Sequence, residues 1–131
     1  VHFFASASCP PHVPDEDTMH KKTTEQVIEE TKASGGFAPE LLEYPELLEM
    51  IVPILKGDAA ITELYRPTET PPLDCPITAF AGTKDDIVPA EKAAEWEQYG
   101  SAFNLVKFKT NHFFMDDKRT EILDAIKSAL L

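Results

Sequence analysis

Positive charge is what this 131-residue chain has least of: 12 lysines and arginines face 23 aspartates and glutamates, for a net charge of −11. Phosphate backbones are bound by a basic face, so nucleic acid is excluded as a partner. An anionic membrane surface is disfavoured for the same reason. Long apolar runs are missing too. A membrane-spanning helix needs about 20 apolar residues, and the longest run, Met50 to Leu55, contains Pro53 and stops at Lys56. No signal-peptide pattern is visible. Cysteine is nearly absent. Cys9 and Cys75 both lie beside prolines with no metal-ligand spacing. They read as small buried hydrophobes or reduced thiols, which points to a reducing compartment such as the cytoplasm. Nothing in the sequence argues for a disulfide between them. An initiating methionine is also lacking: Val1 leads straight into the strand-like run Val1 to Ala5, as a fragment or processed piece would.

What is present is one domain's worth of chain, with 43% apolar residues to build a core. The most informative stretch is Cys75 to Pro89. Its run Ile77 to Ala81 is short, apolar and bounded by Pro76 and Gly82, the pattern of a strand buried on both faces of a parallel sheet. Val1 to Ala7 and Phe103 to Lys109 read as further strands, the latter at a sheet edge. Three prolines among Pro10, Pro11 and Pro14 make the segment after the first strand a rigid loop. Asp15, Glu16 and Asp17, with His12 and His20 nearby, lack the spacing of a metal site and are expected to form a solvated loop. Thr23 with Gln26 is a capping-box pattern opening a helix that Ser34-Gly35-Gly36 closes. Pro39 and Pro45 start two more helices. The second runs through Met50, Ile51, Val52, Ile54 and Leu55, apolar nearly all round. Pro53 should kink it, and Gly57-Asp58 should interrupt it before Ala59 to Tyr65. A helix Ala90 to Tyr99 stopped by Gly100, and a closing helix Lys118 to Leu131, complete the pattern. Alternating strands and helices imply an α/β fold with a parallel sheet. Residues 15 to 70 depart from the alternation and form a helical insertion at the strand ends, where a lid belongs.

Asp85 and His112 each follow a strand, so parallel strands place both on one rim of the sheet, where α/β proteins carry their functional groups. A carboxylate on one loop and a histidine on the next are suited to base catalysis. The acid holds the imidazole in one tautomer and stabilises its protonated form, while the other ring nitrogen takes a proton from a nucleophile. Asp86 is the alternative acid, with stabilisation of the turn as its expected task.

These stretches carry a resemblance. Gly82-Thr83-Lys84-Asp85-Asp86-Ile87-Val88 is similar to a G-x-x-D-x-x-V acid loop, and Pro72 to Ile77 to its lead-in. His112-Phe113-Phe114 resembles the matching histidine loop, Pro45 to Tyr65 a lid, and Ser6 to His12 the segment after a nucleophile helix. Over nearly all its residues the chain resembles the C-terminal part of an α/β-hydrolase. More narrowly, it resembles a type II (external) thioesterase of polyketide and nonribosomal peptide assembly lines. The family's chain order is Ser, Asp, His, and the resemblance implies Asp85 as triad acid and His112 as general base. It implies no cofactor and no metal. The implied substrate is an acyl thioester on the phosphopantetheine of an acyl or peptidyl carrier protein. Lys21, Lys22 and Lys107 are the basic candidates for docking that partner. Three positions depart from the family: Asn111 stands where Gly is usual, Lys56 where Arg is usual, and Ala7-Ser8 where Gly-Arg is usual.

The G-x-S-x-G nucleophile elbow is lacking altogether, since Ser6, Ser8, Ser34, Ser101 and Ser128 have no flanking glycines of that pattern. The expectation is therefore a truncated chain, inactive alone and poorly folded because its strands lack neighbours. The rivals are an esterase or other acyl hydrolase of the same fold, and a non-catalytic pseudoenzyme or binding module.

Overall fold

The computed structural model describes residues Val1 to Leu131. Two compact units emerge: one built from Val1–Val13 and Thr68–Leu131, the other from Pro14–Pro67.

The first unit is organised by a three-stranded parallel sheet. Strand β1 is Phe3–Ser6, β2 is Ile77–Gly82 and β3 is Phe103–Phe108, with β2 in the middle. Phe3 pairs with Ile77 and Ile77 with Phe103 across the sheet. All of β2 is buried, as its unbroken apolar run requires. The sheet's two faces carry different cores. Phe80, Phe108, Phe114 and Ile122 fill one, with Phe4 and Val106 against them. Ala81, Val88, Ala90 and Ala93 form the other, small enough to let a helix approach closely, and the half-buried Cys9 packs there. Helix α4, Arg119–Leu130, supplies Ile122 to the first core. The parallel α/β arrangement is as expected from the alternation.

The other unit contains α1, Thr24–Ala33, and α2, Pro45–Leu64, joined through a 3-10 turn at Pro39–Glu43. The capping box at Thr23 is formed in both directions: its hydroxyl accepts the Gln26 N–H at 3.3 Å, and the Gln26 side chain accepts the Thr23 N–H at 3.0 Å. At the other end Gly35 takes a φ of 78°. Gly36 then donates to the Thr31 carbonyl and Gly35 to that of Lys32, the two bonds of a Schellman stop.

Helix α2 differs from expectation, because it runs unbroken through Gly57 and Asp58. A helical glycine costs about 1 kcal/mol against alanine. The buried side chains of Leu48, Val52 and Glu63 hold this helix in place regardless. Pro53 is exposed, as is Glu49, whose carbonyl it leaves without an amide partner. The opposite side, with Leu47, Met50, Ile54, Ile61 and Leu64, is exposed.

A second departure lies after Pro89. The helix α3 covers only Ala90–Ala94, and Glu95–Tyr99 continues as a 3-10 turn. Distant anchors hold that turn: the Trp96 indole donates to the Ser8 carbonyl at 2.9 Å, and the Tyr99 carbonyl accepts from Leu73. Gly100 ends it with an extended backbone, at φ −110°. Glycine is needed there for space, since a Cβ would lie 2.8 Å from Ile77.

Candidate active site

The acid and histidine loops are laced together by the backbone before any side chain meets. Thr83 N–H donates to the Phe108 carbonyl at 2.8 Å, and Lys84 N–H to the Thr110 carbonyl at 2.9 Å. The loops leave the C-terminal ends of β2 and β3, which are adjacent in the sheet. Asp85 and His112 therefore meet: His112 Nδ1 lies 2.8 Å from Asp85 Oδ2. The other carboxylate oxygen, Oδ1, accepts the N–H of Ile87 at 2.9 Å and of Val88 at 2.7 Å. Three donors thus hold an acid whose side chain is fully buried, while the imidazole is 22% exposed. A carboxylate held this way cannot rotate, so it fixes both the ring's orientation and the position of the Nδ1 proton. His112 makes its hydrogen bond through Nδ1, which leaves Nε2 to exchange a proton. Phe113 packs edge-on to the imidazole, centroids 5.0 Å apart.

Asp86 is exposed, and the histidine bonds its neighbour instead. The turn-stabilising task expected of Asp86 also falls to Asp85, through Oδ1. Of the lysines considered for docking, Lys22 is occupied by Asp17 at 2.8 Å and Glu30 at 2.6 Å. Those bonds raise the Lys22 ammonium above its ordinary pKa and lower that of the Asp17 carboxyl. Lys21 and Lys107 are exposed.

Both histidines take partners outside the acidic cluster. His12 bonds Glu95 at 2.8 Å through Nε2 and the Tyr99 hydroxyl at 3.0 Å through Nδ1, and that hydroxyl bonds Thr70. His20 Nδ1 bonds Glu63, a carboxylate only 3% exposed that also accepts the N–H of Met19 at 2.7 Å. Sequence reading passed over Glu63. The signal was present: Leu48, Val52, Leu55, Ala59 and Glu63 recur at helical spacing, which sets a glutamate on the inward stripe.

A parallel sheet covered by helices, with an acid and a histidine paired on the rim where the strands end, is the arrangement of an α/β-hydrolase. Within that class the chain belongs to the thioesterase domain family, whose model matches residues 1–130. It is 31% identical over 134 aligned residues to the linear gramicidin dehydrogenase LgrE of Brevibacillus parabrevis, covering 98% of this chain and 51% of LgrE. Among solved structures, the RedJ thioesterase from the prodiginine pathway of Streptomyces coelicolor superposes with a TM-score of 0.91 at 27% identity. That match covers 98% of this chain and 52% of RedJ. The type II thioesterase BorB from the borrelidin biosynthetic cluster gives 0.84 at 29% identity, covering 99% of this chain and 54% of BorB. LgrE bears a redox name; the family model and both structures carry thioesterase names. The chain spans about half the length of the curated relatives it matches.

Proposed function

We propose that these residues form the acid-and-base part of a type II thioesterase that hydrolyses acyl groups from the phosphopantetheine thiol of carrier proteins. The observation that carries the reading is the Asp85–His112 pair, a buried and triply anchored carboxylate on the Nδ1 side of a partly exposed imidazole. A serine outside these 131 residues attacks the thioester carbonyl. His112 Nε2 takes the serine proton, and Asp85 stabilises the imidazolium that results. The tetrahedral intermediate collapses to an acyl-serine, and His112 returns the proton to the leaving thiolate. His112 next deprotonates a water molecule that attacks the acyl-serine, and passes that proton to the serine oxygen as the acid departs.

The helical insertion of residues 15 to 70 is the part read as a lid. The exposed side of α2, with Met50, Ile54 and Ile61, suits a helix that meets an acyl chain. These residues add no long-range attraction toward the carrier. Such proteins are generally acidic, and this chain carries −11. Docking therefore rests on local contacts, for which Lys21 and Lys107 remain and Lys22 does not.

The test is steady-state hydrolysis by the protein made from its complete gene. Carrier-bound acyl thioester is expected to turn over faster than the matched oxoester, and the 131 residues alone are expected to be inactive. Equal or better oxoester turnover, with no action on carrier-bound acyl groups, would leave an ester hydrolase of the same fold. Turnover by the 131 residues that is abolished in His112→Ala would refute an external serine.

A further inference from the structure

Asp85 and His112 are held in register by main chain, and one residue lies where those main chains press closest. Gly82 is the last residue of β2 and is buried. A Cβ added there would sit 2.5 Å from the carbonyl oxygen of Asn111 and 2.6 Å from that of Thr110. Both atoms belong to the backbone of the histidine loop, so no side-chain rotation relieves the overlap. The bonds from Thr83 to Phe108 and from Lys84 to Thr110 bracket the contact on the acid side, and Asp85 N–H turns back on the Gly82 carbonyl at 3.4 Å. Asp85 is three residues beyond this contact point and His112 one residue beyond Asn111. A second crowded glycine has no such connection: a Cβ at Gly100 would meet Ala102 and the Ile77 side chain, at the end of β2 remote from the acid loop.

We propose that Gly82 is a positioning residue for the Asp85–His112 pair, its bare Cα being the seat on which the Thr110 and Asn111 carbonyls rest. The reach between acid and base is set there. Any side chain at position 82 lifts the histidine loop off the acid loop, and an offset of the order of 1 Å at a reacting group lowers rate about 100-fold. This inference rests on the reading of Asp85 and His112 as acid and base.

Four variants of the complete protein test it: Gly82→Ala, Gly100→Ala, Asp85→Asn and His112→Ala. Four quantities are measured: kcat, KM, thermal melting, and the low-field NMR resonance of the His112 Nδ1–H, assigned by its disappearance in His112→Ala. Gly82→Ala is expected to lower kcat about 100-fold with KM within about threefold of wild type, and to lose or shift upfield the Nδ1–H signal. Gly100→Ala is expected to lower the melting temperature while keeping both kcat and that signal. A Gly82→Ala protein that melts early yet retains kcat and the resonance would overturn the proposal, leaving an ordinary packing glycine. If Gly82→Ala does not fold, a glycine inserted between Thr110 and Asn111 loosens the same loop without the clash. Unchanged kcat and signal there would also overturn it. If Asp85→Asn and His112→Ala keep full kcat, the acid–base reading is what fails. The Nδ1–H resonance still reports whether Gly82 positions the pair.

Discussion

Glu63 offers the sharpest test of how the 14–67 unit is held together. Its carboxylate is 3% exposed and accepts from Met19 N–H at 2.7 Å, His20 N–H at 3.3 Å and His20 Nδ1. Glu63→Ala strands all three donors. A buried donor left without its acceptor costs about 1–3 kcal/mol, so three of them together cost about 3–9 kcal/mol. The His20 ring is 19% exposed and regains some water, which favours the lower end of that range. Alanine's better helix propensity returns about half a kcal/mol at most. A net cost of about 3 kcal/mol is roughly a 100-fold change in a local opening equilibrium. Native-state hydrogen exchange of the complete protein should therefore show the Met19 and His20 amides exchanging about 100-fold faster in Glu63→Ala. Glu63→Gln keeps one acceptor oxygen and turns an amide toward a donor, so it should fall between, at about 1–2 kcal/mol. Exchange at both amides within about threefold of wild type in Glu63→Ala would refute the reasoning.

Two further substitutions probe separate features. Ala7, just past β1, has a φ of 46°, a left-handed conformation that costs a non-glycine residue about 1–2 kcal/mol. Ala7→Gly should therefore be neutral or stabilising by up to about 1 kcal/mol in denaturant melts, since glycine's chain entropy offsets part of the relief. Ala7→Val should lose about 2 kcal/mol or more, and equal stability of the two variants would contradict this. Lys22→Met removes the cation that holds the Asp17 carboxyl below its ordinary value of 3.8. A depressed carboxyl stabilises the fold above its unfolded value, and that contribution disappears as pH falls through the lower folded value. The Lys22 ammonium, raised above 10.5 by Asp17 and Glu30, stabilises below that value and stops doing so as pH rises past it. The gap between wild type and variant should be about 1 kcal/mol or less for so exposed an acid. It should stay flat from about pH 5 to pH 9, and close below pH 3.8. A gap that widens on acidification would show the sign to be wrong.

The features legible in the sequence were those that local chemistry decides. Ile77 to Ala81 announced a buried parallel strand, Thr23 with Gln26 a helix start, and Asp85 and His112 a shared rim. The features that escaped depend on residues far apart in the chain. The 3-10 turn at Glu95–Tyr99 is tied to Ser8, His12 and Leu73, none of which a local window includes. Helix α2 crosses Gly57 because its inward stripe is buried, a tertiary gain that exceeds one residue's propensity. Asp85 took over the turn from Asp86 because a single carboxylate can serve amides with one oxygen and an imidazole with the other. Gly82 looked like a strand terminator; only the packed loops reveal the carbonyls above its Cα.

The pairing of one aspartate with His112 is decided most directly by comparing Asp85→Asn with Asp86→Asn in the complete protein, with carrier-bound acyl thioester as substrate. Loss of the carboxylate that orients a catalytic histidine lowers kcat about 10⁴-fold in a serine triad. Asp85→Asn should show a loss of that order with KM little changed, and Asp86→Asn should stay within about threefold of wild type. Full activity in Asp85→Asn, or an equal loss in Asp86→Asn, would contradict an acid–base pair built from Asp85 and His112.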